Sequence, residues 1–242
     1  MTKFLTLTRT EIQQYLRRPD TYYIIAVFYF SCGFSWFYIY RPFANHQLDL
    51  YEYFEFLALA SCVVLPLLSQ RSWTSEFRLR TIDVLAQLPL SFKTVSLAKF
   101  IAPLLIISVS YSFIILLALQ ISLLGDLDWG ILLSSLVGLF FVQAIIILTS
   151  QLIGVFFRAP ARSLLVAILV IMLIMYCDRV LLNFLLKFDI SEPLQNKIYS
   201  LSPMFHFKHF IGGFIESQSI DYFLVSSYGL WVAIATQSRK NL

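Results

Sequence analysis

Apolar residues in this sequence gather into runs of about 20, the length at which an α-helix crosses a hydrocarbon core of roughly 30 Å. Such runs occupy about residues 21–40, 53–69, 98–124, 129–157, 163–186 and 220–236. Lipid offers no partner to a free backbone N–H or C=O, so a spanning segment is either a helix or a strand of a closed barrel. Unbroken apolar runs without period-two alternation exclude the barrel. The chain is 59% hydrophobic and 13% charged, against roughly 25% charged in soluble proteins. The fold class is therefore an all-α membrane protein, read as one domain over 1–242 with six transmembrane helices.

The segments between the runs add detail. In residues 1–18, Phe4, Leu5, Ile12, Tyr15 and Leu16 fall at helical spacing, with Lys3, Arg9, Gln13, Gln14 and Arg17 around the rest of the turn. This predicts an amphipathic helix lying in the membrane interface. Pro19 ends it and Asp20 is the expected N-cap of the first span. That span is too long for a signal-peptide core and is expected to be retained. Pro66 lies near the end of the second span, and Pro103 is expected to bend the third. Residues 125–128 form a turn before the fourth span, where Gly130, Gly138, Gly154, Ser134, Ser135 and Ala144 permit close helix packing. Residues 187–219 are expected on the outer face, as short interfacial or re-entrant helices.

Lysine and arginine fix the orientation. With the N-terminus inside, Lys3, Arg9, Arg17, Arg18, Arg71, Arg78, Arg80, Lys93, Lys99, Arg158, Arg162, Arg239 and Lys240 are cytoplasmic, and Arg41, Arg179, Lys187, Lys197 and Lys208 are outside. This excess satisfies the positive-inside rule for six spans with both termini cytoplasmic. The positive charges thus report orientation, and no nucleic-acid partner is expected.

Between the second and third spans stands "RSWTSEFRLRTIDVLAQLPLS", residues 71–91. Read as a helix, Trp73, Phe77, Val84 and Leu88 form one stripe, and Glu76, Arg80, Asp83 and Gln87 a neighbouring one. Glu76 and Arg80 stand at i,i+4. Pro89 ends the helix, Ser91 caps the next one, and Lys93 and Lys99 anchor the return to the membrane. From these residues alone two readings stand: a solvated interfacial connector, or a docking helix held by its apolar side with its charges offered to a cytoplasmic partner.

Arg71, Glu76, Thr81, Asp83, Leu85, Pro89, Leu90 and Ser91, at their spacing here, resemble the coupling-helix signature of ABC-2 type transporter permeases, in particular the gliding-motility GldF-like and the related NosY-like members. Arg80 stands where that family usually has Gly, and Ser75 where a second Glu is common. The resemblance continues in Arg18-Pro19-Asp20-Thr21-Tyr22, in Leu97-Ala98-Lys99-Phe100, in Asp128-Trp129-Gly130 with Gly138-Leu139, and in Gly213, Glu216, Tyr222 and Phe223, with Gly212 where Arg is frequent. It implies a permease subunit in the bacterial cytoplasmic (inner) membrane, working with two copies of an ABC ATPase and a second permease chain, GldG-like or a second copy of itself. It also implies ATPase-coupling roles for Arg71, Glu76, Arg80, Thr81, Asp83, Leu85 and Pro89 in a coupling helix over 71–89, with Trp73 and Phe77 anchoring that helix. The sequence contains no G-x-x-x-x-G-K-[ST] loop. ATP and Mg would therefore sit on the partner ATPase; the chain itself is read as non-catalytic, with no cofactor or metal of its own.

Other features read more plainly. Cys32, Cys62 and Cys177 lie in apolar runs without ligand spacing and are neither disulfide nor metal residues. His206 and His209 at i,i+3 lack the further ligands of a closed metal site. Gln143, Thr149, Ser150 and Gln151 are read as interhelical hydrogen-bonding groups, and Asp178-Arg179 as a helix-end pair. No HExxH, nucleophile-base pair or paired intramembrane acids point to an enzyme. A stand-alone secondary transporter or channel remains the alternative, although no charge is expected near mid-membrane.

Overall fold

The computed structural model describes residues 2–40, 50–79, 81, 91–123, 127–157, 159–177 and 199–240, and among these every regular element is helical. Helix α1 (Thr2–Leu16) leads into α2 (Pro19–Phe34), which continues as a π-helical end over Ser35–Tyr40. Then come α3 (Tyr51–Ser69), α4 (Arg71–Leu79), α5 (Phe92–Ser108), α6 (Tyr111–Ser122), α7 (Trp129–Phe156), α8 (Pro160–Met175), α9 (Pro203–Ile211) and α10 (Ser217–Lys240).

Three helical stretches are long and apolar enough to cross a membrane: Tyr51–Leu79, Phe92–Gln120 and Trp129–Phe156. Pro160–Met175 is apolar but shorter. The protein is thus a helical, membrane-type chain.

Helix α7 is the centre of the packing, touched by α3, α4, α5, α8, α9 and α10. Its apolar composition runs around the whole circumference, as expected of a helix enclosed by others. At its start Asp128 caps the free N–H groups of Gly130 and Ile131. Near that end, α9 lies against it at Gly138, where an added Cβ would stand 2.6 Å from Phe210 Cβ. Near the other end, Gly154 admits the backbone of Gln70, whose carbonyl is 3.2 Å from the position of such a Cβ. Glycine at these two positions lets neighbouring backbones approach, as small residues do between membrane helices.

Several local expectations change. Arg18, not Asp20, is the N-cap of α2, with Pro19 in the first turn; a proline with its fixed φ starts a helix without a side-chain cap. Pro103 sits inside α5, and the interruption comes at Val109–Ser110 between α5 and α6. The third helix also starts earlier, at Phe92, with Ser91 accepting from the Thr94 N–H as its cap. The protein-facing side of α1 is Thr8, Glu11 and Tyr15, while Leu5 and Leu16 stay exposed. Of the five apolar residues at helical spacing, Tyr15 is therefore turned toward the protein, and Leu5 and Leu16 away from it. Asp178-Arg179 and residues 82–90 lie outside the described residues.

Candidate functional site

Helix α4 begins without a loop. Gln70 keeps right-handed helical dihedrals, and its carbonyl accepts from the N–H of both Trp73 and Thr74. The short helix is thus a direct extension of α3. Trp73 is fully buried, in a cluster with Val95 of α5, Leu148 and Val155 of α7 and Ile234 of α10. Phe77 is half-buried and stacks on Trp73 with ring centroids 6.4 Å apart. One turn of α4 is therefore anchored where four helices meet.

On the same turn Glu76 points inward. Its Oε1 lies 2.8 Å from Lys99 Nζ, and Glu11 Oε1 of α1 lies 2.9 Å from the same nitrogen. Lys99 also donates to the Ser72 carbonyl at 3.2 Å, and its ammonium lies 5.6 Å from the centroid of the Trp73 ring. With three N–H groups and no accepting capacity, the ammonium has its donors matched by Glu11, Glu76 and Ser72. Its side chain is only 1% exposed. A charge removed from water at this depth persists only with such partners.

The cluster is extended on both sides. Thr81 Oγ1 donates to the second Glu76 oxygen at 3.0 Å, and Thr81 N–H to the Glu76 carbonyl. Gln151 Nε2 of α7 donates to the Lys99 carbonyl at 2.7 Å. Tyr15, one turn along α1 from Glu11, is buried, and burial followed by the Glu11 carboxylate pushes its phenol up, which keeps it protonated. The result ties α1, α4, α5 and α7 together through named polar contacts.

Of the residues expected in the coupling helix, the structure brings Trp73, Glu76, Phe77 and Thr81 to this centre. Arg71 faces elsewhere and pairs with Asp20 at the start of α2. Arg80, Asp83, Leu85 and Pro89 lie outside the described residues. Lys99, read from the sequence as an anchor of the return to the membrane, is the hub of the ion cluster, its buried ammonium held between two carboxylates. Sequence reasoning missed Glu11 altogether. Its signal was its position as the one acid of α1, in phase with Thr8 and Tyr15.

The remaining polar groups serve packing. Tyr111 donates to Gln143 Oε1 at 2.7 Å, and Gln143 reaches Ser61 at 3.4 Å, so this glutamine links α6, α7 and α3. Thr149 and Ser150 hydroxyls are buried without a hydrogen-bond partner among the described residues. His206 uses both ring nitrogens, toward Ser219 at 3.1 Å and the Ser200 carbonyl at 3.0 Å, while His209 faces Glu216 at 3.4 Å. No group of three or more metal-ligating side chains occurs among the described residues.

No model of a known protein family matches the chain, and no curated protein matches it significantly.

Proposed function

We propose that this chain is the membrane permease subunit of an ABC-2-like transporter, and that α4 begins the segment on which a separate ATPase acts. In this reading it crosses the bacterial cytoplasmic membrane six times with both termini inside, beside a second permease that is GldG-like or a second copy. Two ATPase subunits hold ATP and Mg. Their closure does work on the membrane helices, either exporting a solute or moving a partner protein in a gliding-motility or envelope-related system.

The observation that carries this reading is Lys99 held between Glu11 and Glu76. A segment that receives force from outside the membrane needs a stiff connection to the helices it is to move. Helix α4 has one by backbone continuity into α3, a second through Lys99 into α5, and a third through Lys99 and Glu11 into α1. The Trp73 anchor adds α7 and α10. Glu76 and Thr81 thus serve here as orienting groups, with Arg80 and Asp83 left for the partner.

The test is mass spectrometry of the proteins that co-purify with this chain from its native membrane in mild detergent. A phosphate-loop ATPase is expected, recovered with wild type and with Lys99→Met, and lost with Asp83→Ala. In the Lys99→Met complex ATP hydrolysis should persist while transport falls, since docking remains and the connection is cut. A single chain without any ATPase would overturn the reading in favour of a stand-alone transporter or channel.

A further inference from the structure

Beside the buried ion cluster, and distinct from it, a cleft of about 460 Å³ opens between the α1–α2 junction, α4 and the start of α8. Its walls include Arg18, Asp20, Arg71, Arg78, Leu79 and Pro160. Arg71 and Arg78 are seven residues apart and so share one face of α4, while Arg18 joins the lining from the α1–α2 junction. Asp20 is the one acid among the described residues of the lining and is engaged by Arg71. Arg18 and Arg78 have no carboxylate partner among the described residues. The cleft therefore keeps a surplus of positive charge on a concave surface built from three separate parts of the chain.

We infer that this cleft binds the phosphodiester headgroup of an anionic phospholipid. Guanidinium groups match phosphate oxygens in paired, planar hydrogen bonds, and Arg18 and Arg78 line the cleft beside the Arg71–Asp20 pair. The start of α8 adds favourable partial charge, because Ala159 offers no side-chain cap to the first N–H groups of that helix. The lining also explains why a lipid suits it better than a soluble anion. Leu79 and Pro160 form apolar parts of the wall, and Leu79 is 65% exposed. A headgroup held by the arginines places its acyl chains along these apolar side chains. Other basic residues of this region, Arg9 on α1 and Arg17 just after it, are exposed and do not line the cleft. A bound lipid bridges α1–α2, α4 and α8, and so stiffens the position of α4.

The test uses the full chain in nanodiscs, with phosphatidylglycerol mixed into phosphatidylcholine or with phosphatidylcholine alone, together with native mass spectrometry of retained lipid. Wild type should retain phosphatidylglycerol and melt at higher temperature in its presence. Arg18→Gln with Arg78→Gln should reduce the retained lipid several-fold and remove the melting shift. Arg9→Gln with Arg17→Gln, which removes the same charge outside the cleft, should leave both intact. Equal losses in the two double variants would overturn the inference, because the attraction would then be a bulk surface effect. Saturation of the melting shift by inorganic phosphate in phosphatidylcholine discs would assign the cleft to a soluble anion, also against the inference. So would loss of a co-purifying acidic protein from the Arg18/Arg78 variant with its lipid unchanged. These outcomes do not depend on whether an ATPase partner exists.

Discussion

Lys99 is the residue whose removal says most. Lys99→Met deletes the cation held between Glu11 and Glu76 and leaves two buried carboxylates without it. Removing one member of a buried pair typically costs about 3–5 kcal/mol, and the melting temperature in detergent should fall accordingly. Adding Glu11→Gln and Glu76→Gln to Lys99→Met removes the stranded charges and should recover most of that loss; if the triple variant melts as low as the single one, the charges are not what holds the helices. A second residue reports on the opposite end of the molecule. His206 is lowered from its usual 6.5, first by burial, with the neighbouring His209 acting in the same direction against the Ser200 carbonyl and Glu216. A lowered histidine means that the unfolded chain takes up its proton first as pH falls. Its stabilising contribution is therefore complete above about pH 6.5 and declines as pH drops through that value. Melting curves between neutral pH and pH 5 should show this slope for wild type and a shallower one for His206→Gln. At this scale the sequence was legible in type and not in partner. Glu76 and Thr81 stood out by spacing, but Lys99 read only as a positive charge at a helix end. Nothing local announces that a residue 88 positions away on α1 completes its coordination.

At the scale of elements, apolar runs located the helices well, because a run of lipid-compatible residues has few alternatives. The run 98–124 reads as one span, and the structure divides it at Val109–Ser110, where Ser110 N–H closes a short turn onto the Ile107 carbonyl. The amphipathic pattern of α1 marked a helix, but not that the Glu11–Lys99 pair turns a charged residue toward the protein. The small residues of α7 separate into roles only in three dimensions. Gly130 sits under the Asp128 cap, while Gly138 lets α9 lie on α7. Gly138→Ala should force α9 off its seat, because the obstructing atom is the Cβ of Phe210 and not the end of a flexible chain. It should also disturb the 2.8 Å bond from Ser134 to the Phe210 carbonyl. Overpacking of this kind costs about 1–3 kcal/mol. Gly33→Ala in α2, where nothing lies within 4 Å of the added carbon, should be neutral or slightly stabilising, since it removes backbone freedom from the unfolded chain. Equal destabilisation of the two variants would show that α7 and α9 do not depend on this close approach.

Over the whole molecule, α7 separates two differently built ends. It is 28 residues long, which at about 1.5 Å per residue is enough to cross a bilayer core. Around its C-terminal third gather Gln70, Lys99 and the arginine-lined cleft, and the pocket formed by Ser91, Lys93 and Arg239 brings the start of α5 to the end of α10. Around its N-terminal third lie α9 and the Gly212–Gly213 turn, where Gly213 adopts a φ of +83° and packs over Ile131. This arrangement makes a definite topological prediction. In a background with Cys32, Cys62 and Cys177 replaced by alanine, single cysteines at Gln13, Ser75 and Arg239 should react with a membrane-impermeant maleimide from one side only. Cysteines at Leu201 and Glu216 should react only from the other. Labelling of all five from the same side would mean that α7 does not run across the membrane. Labelling of Arg239 with Glu216 would mean that α10 does not return to the side of α4. The predicted split places the ion cluster and the arginine cleft together on one surface, where a single partner or lipid can act on α1, α4 and α5 at once.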